Sequence, residues 1–127
     1  MSNELHVAAM PFPTGQGTQA AVRAMVEARA AVTDAELLVY GDGDERLEVT
    51  DVDLPFRLRR AGGPSNPGAF RSGPSFRKLV QDTHLVRATR ELRDSTRIAV
   101  AHHVEAATAC WLVPRCTWAT WIGASRR

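Results

Sequence analysis

Two groups of residues in this chain have types and spacing that could do chemistry. The first is Gly15-Gln16-Gly17-Thr18-Gln19, which follows Pro11-Phe12-Pro13-Thr14 and precedes an alanine-rich segment, Ala20 to Val32. Gly15 and Gly17 carry no Cβ, so a ligand can approach the main chain closely. The N–H groups of a following helix's first turn then point at whatever anion sits there. Gly15-x-Gly17-x-x-Ala20 also fits G-x-G-x-x-A, the relaxed dinucleotide fingerprint, and Asp42 or Asp44 falls near the place of its ribose-binding acid. In that fingerprint the first glycine turns the chain almost directly off a strand. Here Pro11 and Pro13 stiffen a longer exit, which suits a ligand held further from the strand end. Glycines that serve only a tight turn are the alternative reading.

The second group is His102-His103-Val104-Glu105, directly after the apolar run Ile98-Ala99-Val100-Ala101. Imidazole can donate or accept a hydrogen bond near neutral pH. In a parallel sheet the carboxyl ends of the strands line the ligand crevice, so these side chains fall near the glycine loop. His6 and His84 read as structural. Cys110 and Cys116 are too widely spaced for a zinc knuckle and lack two further ligands, so they read as free, buried thiols. No metal and no cofactor are expected.

The elements that must position these residues follow from local pattern. Leu5 to Met10 reads as a strand apolar on both faces, as buried parallel strands are. Thr18 is a good helix N-cap, and the helix after it places Ala21, Met25, Ala28 and Val32 on one stripe. Leu37 to Tyr40 forms a second strand, closed by Gly41-Asp42-Gly43-Asp44. Pro55 to Arg59 alternates weakly and predicts a third. Ala61 to Pro74 holds four glycines and three prolines and is a long loop. Ser75 caps a helix to about Arg93 with Phe76, Leu79, Val80, Thr83 and Val86 inward; Ile98 to Ala101 is a fourth strand, and a last helix runs from Ala106 to Leu112. Strands alternating with helices predict an α/β fold, a Rossmann-like parallel sheet with flanking helices.

At 127 residues the chain is the size of one domain, and its apolar fraction of 44% permits a sizeable core. No apolar run approaches a bilayer span, and the polar start Ser2-Asn3-Glu4 does not resemble a secretory signal, so a cytoplasmic location is expected. The formal net charge of +2 does not imply nucleic acid as a partner. Leu54 to Gln81, however, contains no acid and holds Arg57, Arg59, Arg60, Arg71, Arg77 and Lys78. That stretch is either a solvated loop or a patch facing an anion such as a membrane surface, which would make the protein peripheral.

An apolar strand, a Pro-Phe-Pro then Gly-x-Gly-Thr-Gln loop, an alanine-rich helix, the Leu38-Val39-Tyr40-Gly41-Asp42 strand end and Ala101-His102-His103-Val104-Glu105-Ala106-Ala107 occur here in that order. Over residues 5 to 112 the chain resembles the N-terminal domain of GT-B-fold glycosyltransferases of the retaining, family-4 type. In that family two Rossmann-like domains face each other across a cleft. The resemblance implies transfer of a hexose from a nucleotide-sugar donor to a hydroxyl acceptor, with residues 1–112 as the acceptor-side domain and 113–127 as an atypical tail. It implies that His102, as the catalytic position, contacts the transferred sugar, that Gly15, Gly17, Thr18 and Gln19 lie beside the donor's diphosphate, and that His103 and Glu105 neighbour them.

The family's acidic motif and phosphate-binding basic pair belong to a second domain that this sequence does not include. A truncated chain, inactive in isolation and prone to self-association, is therefore expected. From Ala106 onward there is no acid, Trp111, Trp118 and Trp121 cluster, and no fifth strand is recognisable in Pro114 to Arg127. Two other classes fit parts of the pattern: an NAD(P)-dependent oxidoreductase domain, on the fingerprint match, and a non-catalytic anion-binding module, on the basic stretch.

Overall fold

The computed structural model describes residues 2–12, 17–41, 54–62, 76–113 and 117–121. Its elements in chain order are β1 (Ser2–Ala8), α1 (Gly17–Ala30), β2 (Ala35–Val39), β3 (Arg57–Arg60), α2 (Phe76–Leu92), β4 (Thr96–His102), α3 (Val104–Trp111) and β5 (Thr117–Trp121), with a 3₁₀ turn at Arg93–Ser95 before β4. The five strands form one sheet in the order β3-β2-β1-β4-β5, and every pairing is parallel. This is a Rossmann-like α/β fold, as the alternation of strands and helices predicts. Gly15, Asp42, Asp44, Arg71 and Ser75 lie outside the described residues.

Period-two alternation divides the strands between two helical layers. Leu5, Val7, Leu38 and Ala101 pack with Leu85 of α2 and Ala106, Ala109 and Cys110 of α3. Ala8, Ala35, Leu37 and Val39 pack instead with Val22 and Val26 of α1 and with Met10, Phe12 and Phe56. Both faces of the central strands are buried, which is why β2 reads as an unbroken apolar run apart from Glu36.

Glu36 is resolved by its neighbours. Arg57 Nη1 and Arg59 Nε of edge strand β3 donate to its two carboxylate oxygens at 2.9 and 3.1 Å. Two arginines of the acid-free stretch are thus paired with a buried carboxylate of the same sheet, their own side chains remaining exposed.

Several local expectations change in the structure. The helices begin and end within a few residues of their predicted limits, but their inner faces differ. In α1 the buried residues are Gln19, Val22 and Val26, while Ala21, Ala28 and Val32 are exposed. Alanines are spread all round this helix, so the apolar signal is nearly flat, and the two valines decide the contact because they bury more area. In α2 the buried stripe is Gln81, Leu85 and Thr89, and Phe76 is 81% exposed. Thr89 can be buried because its hydroxyl donates to the Leu85 carbonyl at 2.8 Å, a possibility that hydrophobic periodicity does not register. Thr18 lies inside the first turn of α1 and is not its cap. The chain past residue 112 also contributes β5, which extends the sheet beside β4.

Candidate functional site

The strand order sets the site. The β1-α1-β2 unit builds outward on one side of β1, whereas the long crossover through α2 returns the chain to the other side as β4. Where the order reverses, the connections that leave the two neighbouring strands diverge and open a crevice at their carboxyl ends. Here β1 and β4 are those neighbours, and their last residues, Ala8 and His102, pair directly. α1 must start at that edge to return to the beginning of β2, and α3 starts one residue after β4. Gly17, Thr18, His102 and His103 therefore share one rim of the sheet.

The entry to this rim is fixed by packing. The Tyr40 N–H donates to the Met10 carbonyl at 3.1 Å, tying the exit of β1 to the exit of β2, and Met10 and Phe12 are buried under α1. Gly41, at the end of β2, passes so close to Ala61 that a Cβ would overlap the Ala61 carbonyl oxygen. At Gly17 a Cβ would meet open space. Gly41 is a packing glycine, whereas a Cβ at Gly17 would touch nothing within 4 Å among the described residues.

His102 is only 2% exposed and His6 1%. In β1, Glu4, His6 and Ala8 share the α1-side face; in β4, Val100 and His102 are the register partners of His6 and Ala8. His6 is thus the diagonal neighbour of His102, within reach across the strands. The rings lie edge to edge with centroids 5.2 Å apart and planes 17° from parallel, and His6 Nδ1 lies 2.9 Å from His102 Nε2. Behind them, Glu4 Oε2 is 3.4 Å from His6 Nε2, longer than a formed hydrogen bond. Arg29 of α1 closes the row with a two-pronged grip on Glu4, its Nε donating to Oε2 at 2.9 Å and its Nη2 to Oε1.

The electrostatics follow from this arrangement. The Arg29 hydrogen bond holds the Glu4 carboxyl below its ordinary range despite burial. Burial pushes the His6 imidazole down, against the opposing pull of Glu4. Burial, with smaller contributions from His6 and His103, pushes His102 down to about 4. Both imidazoles are neutral at pH 7, and a single proton bridges them.

His103 is exposed and adopts φ 74° and ψ 161°, a region that essentially only glycine populates. Its carbonyl accepts the first helical hydrogen bond of α3 from the Ala107 N–H at 3.0 Å, and its side chain makes no capping bond. A non-glycine backbone held in a conformation that costs about 1–3 kcal/mol is the kind of strain that clusters at ligand sites.

The remaining predicted site residues divide. Thr18 is exposed on the rim, whereas Gln19 is buried on the inner face of α1. Glu105 accepts a hydrogen bond from Lys78 Nζ of α2 at 2.7 Å, which lowers its carboxyl, so it faces α2 and not the imidazole pair. One turn along α2 from Lys78, Asp82 accepts from the Tyr40 hydroxyl, and burial together with that carboxylate pushes the phenol well up.

Glu4, His6 and Arg29 escaped sequence reasoning. The available signal was Glu4-x-His6, two polar residues two positions apart flanking Leu5, which places both on one face of the strand. Among the described residues no group of three or more metal-ligating side chains converges, and no helix is long and apolar enough to cross a membrane. An open cleft of about 310 Å³, lined by Gly62, His84, Arg87, Ala88 and Glu91, includes no residue of the Gly17–His102 rim. No protein-family model, curated protein or solved structure matches the chain.

Proposed function

We propose that this chain is the acceptor-side half of a nucleotide-sugar-dependent glycosyltransferase, moving a hexose to a hydroxyl acceptor. A single observation carries the reading. The start of α1, with open space over Gly17, and the His102–His103 doublet lie at the ends of two paired strands at the reversal point of the sheet. First-turn N–H groups favour a phosphate and imidazoles favour a sugar hydroxyl, so the two kinds of group suit a sugar diphosphate laid across the rim.

The surface around that rim supports the same reading. Phe76 and Leu79, at the start of α2, and Val104, at the start of α3, are exposed although large and apolar, and the Lys78–Glu105 pair bridges the two helix starts. Apolar surface rimmed by charge is what a facing domain covers. The leaving diphosphate would be stabilised in part by the N-terminus of α1, and the remainder of the cleft would come from that facing domain.

The test is an amide and imidazole NMR titration with UDP-glucose, GDP-mannose, inorganic diphosphate and NADH. The proposal expects a sugar nucleotide or diphosphate to shift Gly17, Thr18, His102 and His103 together. It also expects negligible hexose transfer by this chain alone. Tight binding confined to the nicotinamide nucleotide would replace the assignment with an oxidoreductase domain, whose strand order this sheet shares. Robust transfer by the isolated chain would overturn the two-domain reading.

A further inference from the structure

The row Arg29–Glu4–His6–His102 has a direction. Glu4 is an ionised carboxylate gripped by Arg29, so it can only accept. His6 is neutral and carries one ring proton, and its Nε2 is the nitrogen that faces Glu4. Nε2 is also fully buried and completes no hydrogen bond, so a lone pair there would face the negative charge of the Glu4 carboxylate 3.4 Å away with no compensation. The proton therefore sits on His6 Nε2, and His6 Nδ1 is an acceptor. The nitrogen 2.9 Å away, His102 Nε2, must then be the donor.

We infer that Glu4 and His6 are positioning residues that lock the His102 proton on Nε2 and leave its Nδ1 as the acceptor offered to a ligand. This rests on the reading that a sugar nucleotide lies against His102. It divides that ligand by chemistry. An acceptor nitrogen takes a hydrogen bond from a hydroxyl and is repelled by phosphate oxygens, which are acceptors themselves. His102 then reads the sugar's hydroxyls, and the diphosphate belongs to the start of α1.

The tautomers can be read without any ligand, from imidazole ¹⁵N shifts of the uniformly labelled chain at pH 7.5. We expect His102 and His6 each to carry the proton mainly on Nε2, because the Glu4 carboxylate 3.4 Å from His6 Nε2 disfavours a lone pair there. In Glu4→Gln the carboxamide can donate as well as accept, so the excess falls toward parity at both rings; a histidine buried for packing alone would not respond. A His102 proton on Nδ1 in the unmodified chain overturns the inference. So does a folded Glu4→Gln chain with unchanged tautomer ratios. If Glu4→Gln does not fold, the unmodified spectrum decides by itself. The expected tautomers in a chain that binds no sugar nucleotide would remove the function proposed above and leave the relay standing. Binding with the opposite tautomers would do the reverse.

Discussion

Acid should unfold this protein through one identifiable ring. His102 titrates near 6.5 when unfolded, and burial holds it at about 4 in the fold. Between those values the unfolded chain binds a proton that the native state refuses, so stability rises with pH and is lost as pH falls from 6.5 toward 4. At 1.36 kcal/mol per unit, the loss from this ring is about 2 kcal/mol at pH 5 and about 3 kcal/mol at pH 4, a large share of a small domain's margin. His6, also depressed by burial, titrates in the same direction. Glu4, whose carboxyl is lowered, withdraws its contribution as pH falls further.

The perturbation is His102→Asn, which keeps a polar group but cannot take up the proton. Urea unfolding at pH 7.5, 6, 5 and 4 gives two curves of stability against pH. The variant starts lower at pH 7.5, having lost the contact with His6, but its curve should be flatter by about 3 kcal/mol between pH 7.5 and pH 4. The difference between the curves reports His102 together with its coupling to His6, since the two rings are in contact. Parallel curves would mean that His102 is not held neutral by burial, and the account of the imidazole pair would fail with it.

Other outcomes follow from the same geometry. His103→Gly should raise stability by about 1 kcal/mol in urea unfolding, since it removes a strain of about 1–3 kcal/mol and adds a glycine's entropy cost; in NMR titration it should weaken ligand binding, and a destabilised variant would refute the strain argument. Gly41→Ala should cost about 1–3 kcal/mol, because its Cβ overlaps the Ala61 carbonyl oxygen and backbone must move to make room. Gly17→Ala meets open space in a helix and should gain about 0.5 kcal/mol while reducing diphosphate affinity, a split that thermal melts and titration would together reveal. Glu36→Gln should loosen edge strand β3, where Arg57 and Arg59 lose their shared carboxylate, and amide exchange of Arg57 to Arg60 should accelerate while β1 and β4 are unaffected.

The sequence by itself determined the α/β class and placed the carboxyl ends of four of the five strands to within two residues, while β5 went unrecognised. Short apolar runs, glycine after the first of them and a histidine doublet after the fourth are local signals, and each segment reports them independently of the others. The tertiary structure decided what those signals meet. The two imidazoles that touch are 96 residues apart, and they touch because β4 returns to pair with β1, a choice made by the packing of whole layers. The same packing turned Val22 and Val26 inward where alanine left the helix pattern flat, buried Gln81 and Thr89, and drew Thr117–Trp121 into the sheet. A segment's pattern encodes how much of it will be buried; which neighbour buries it depends on strand order, and strand order is settled only when all the layers close at once.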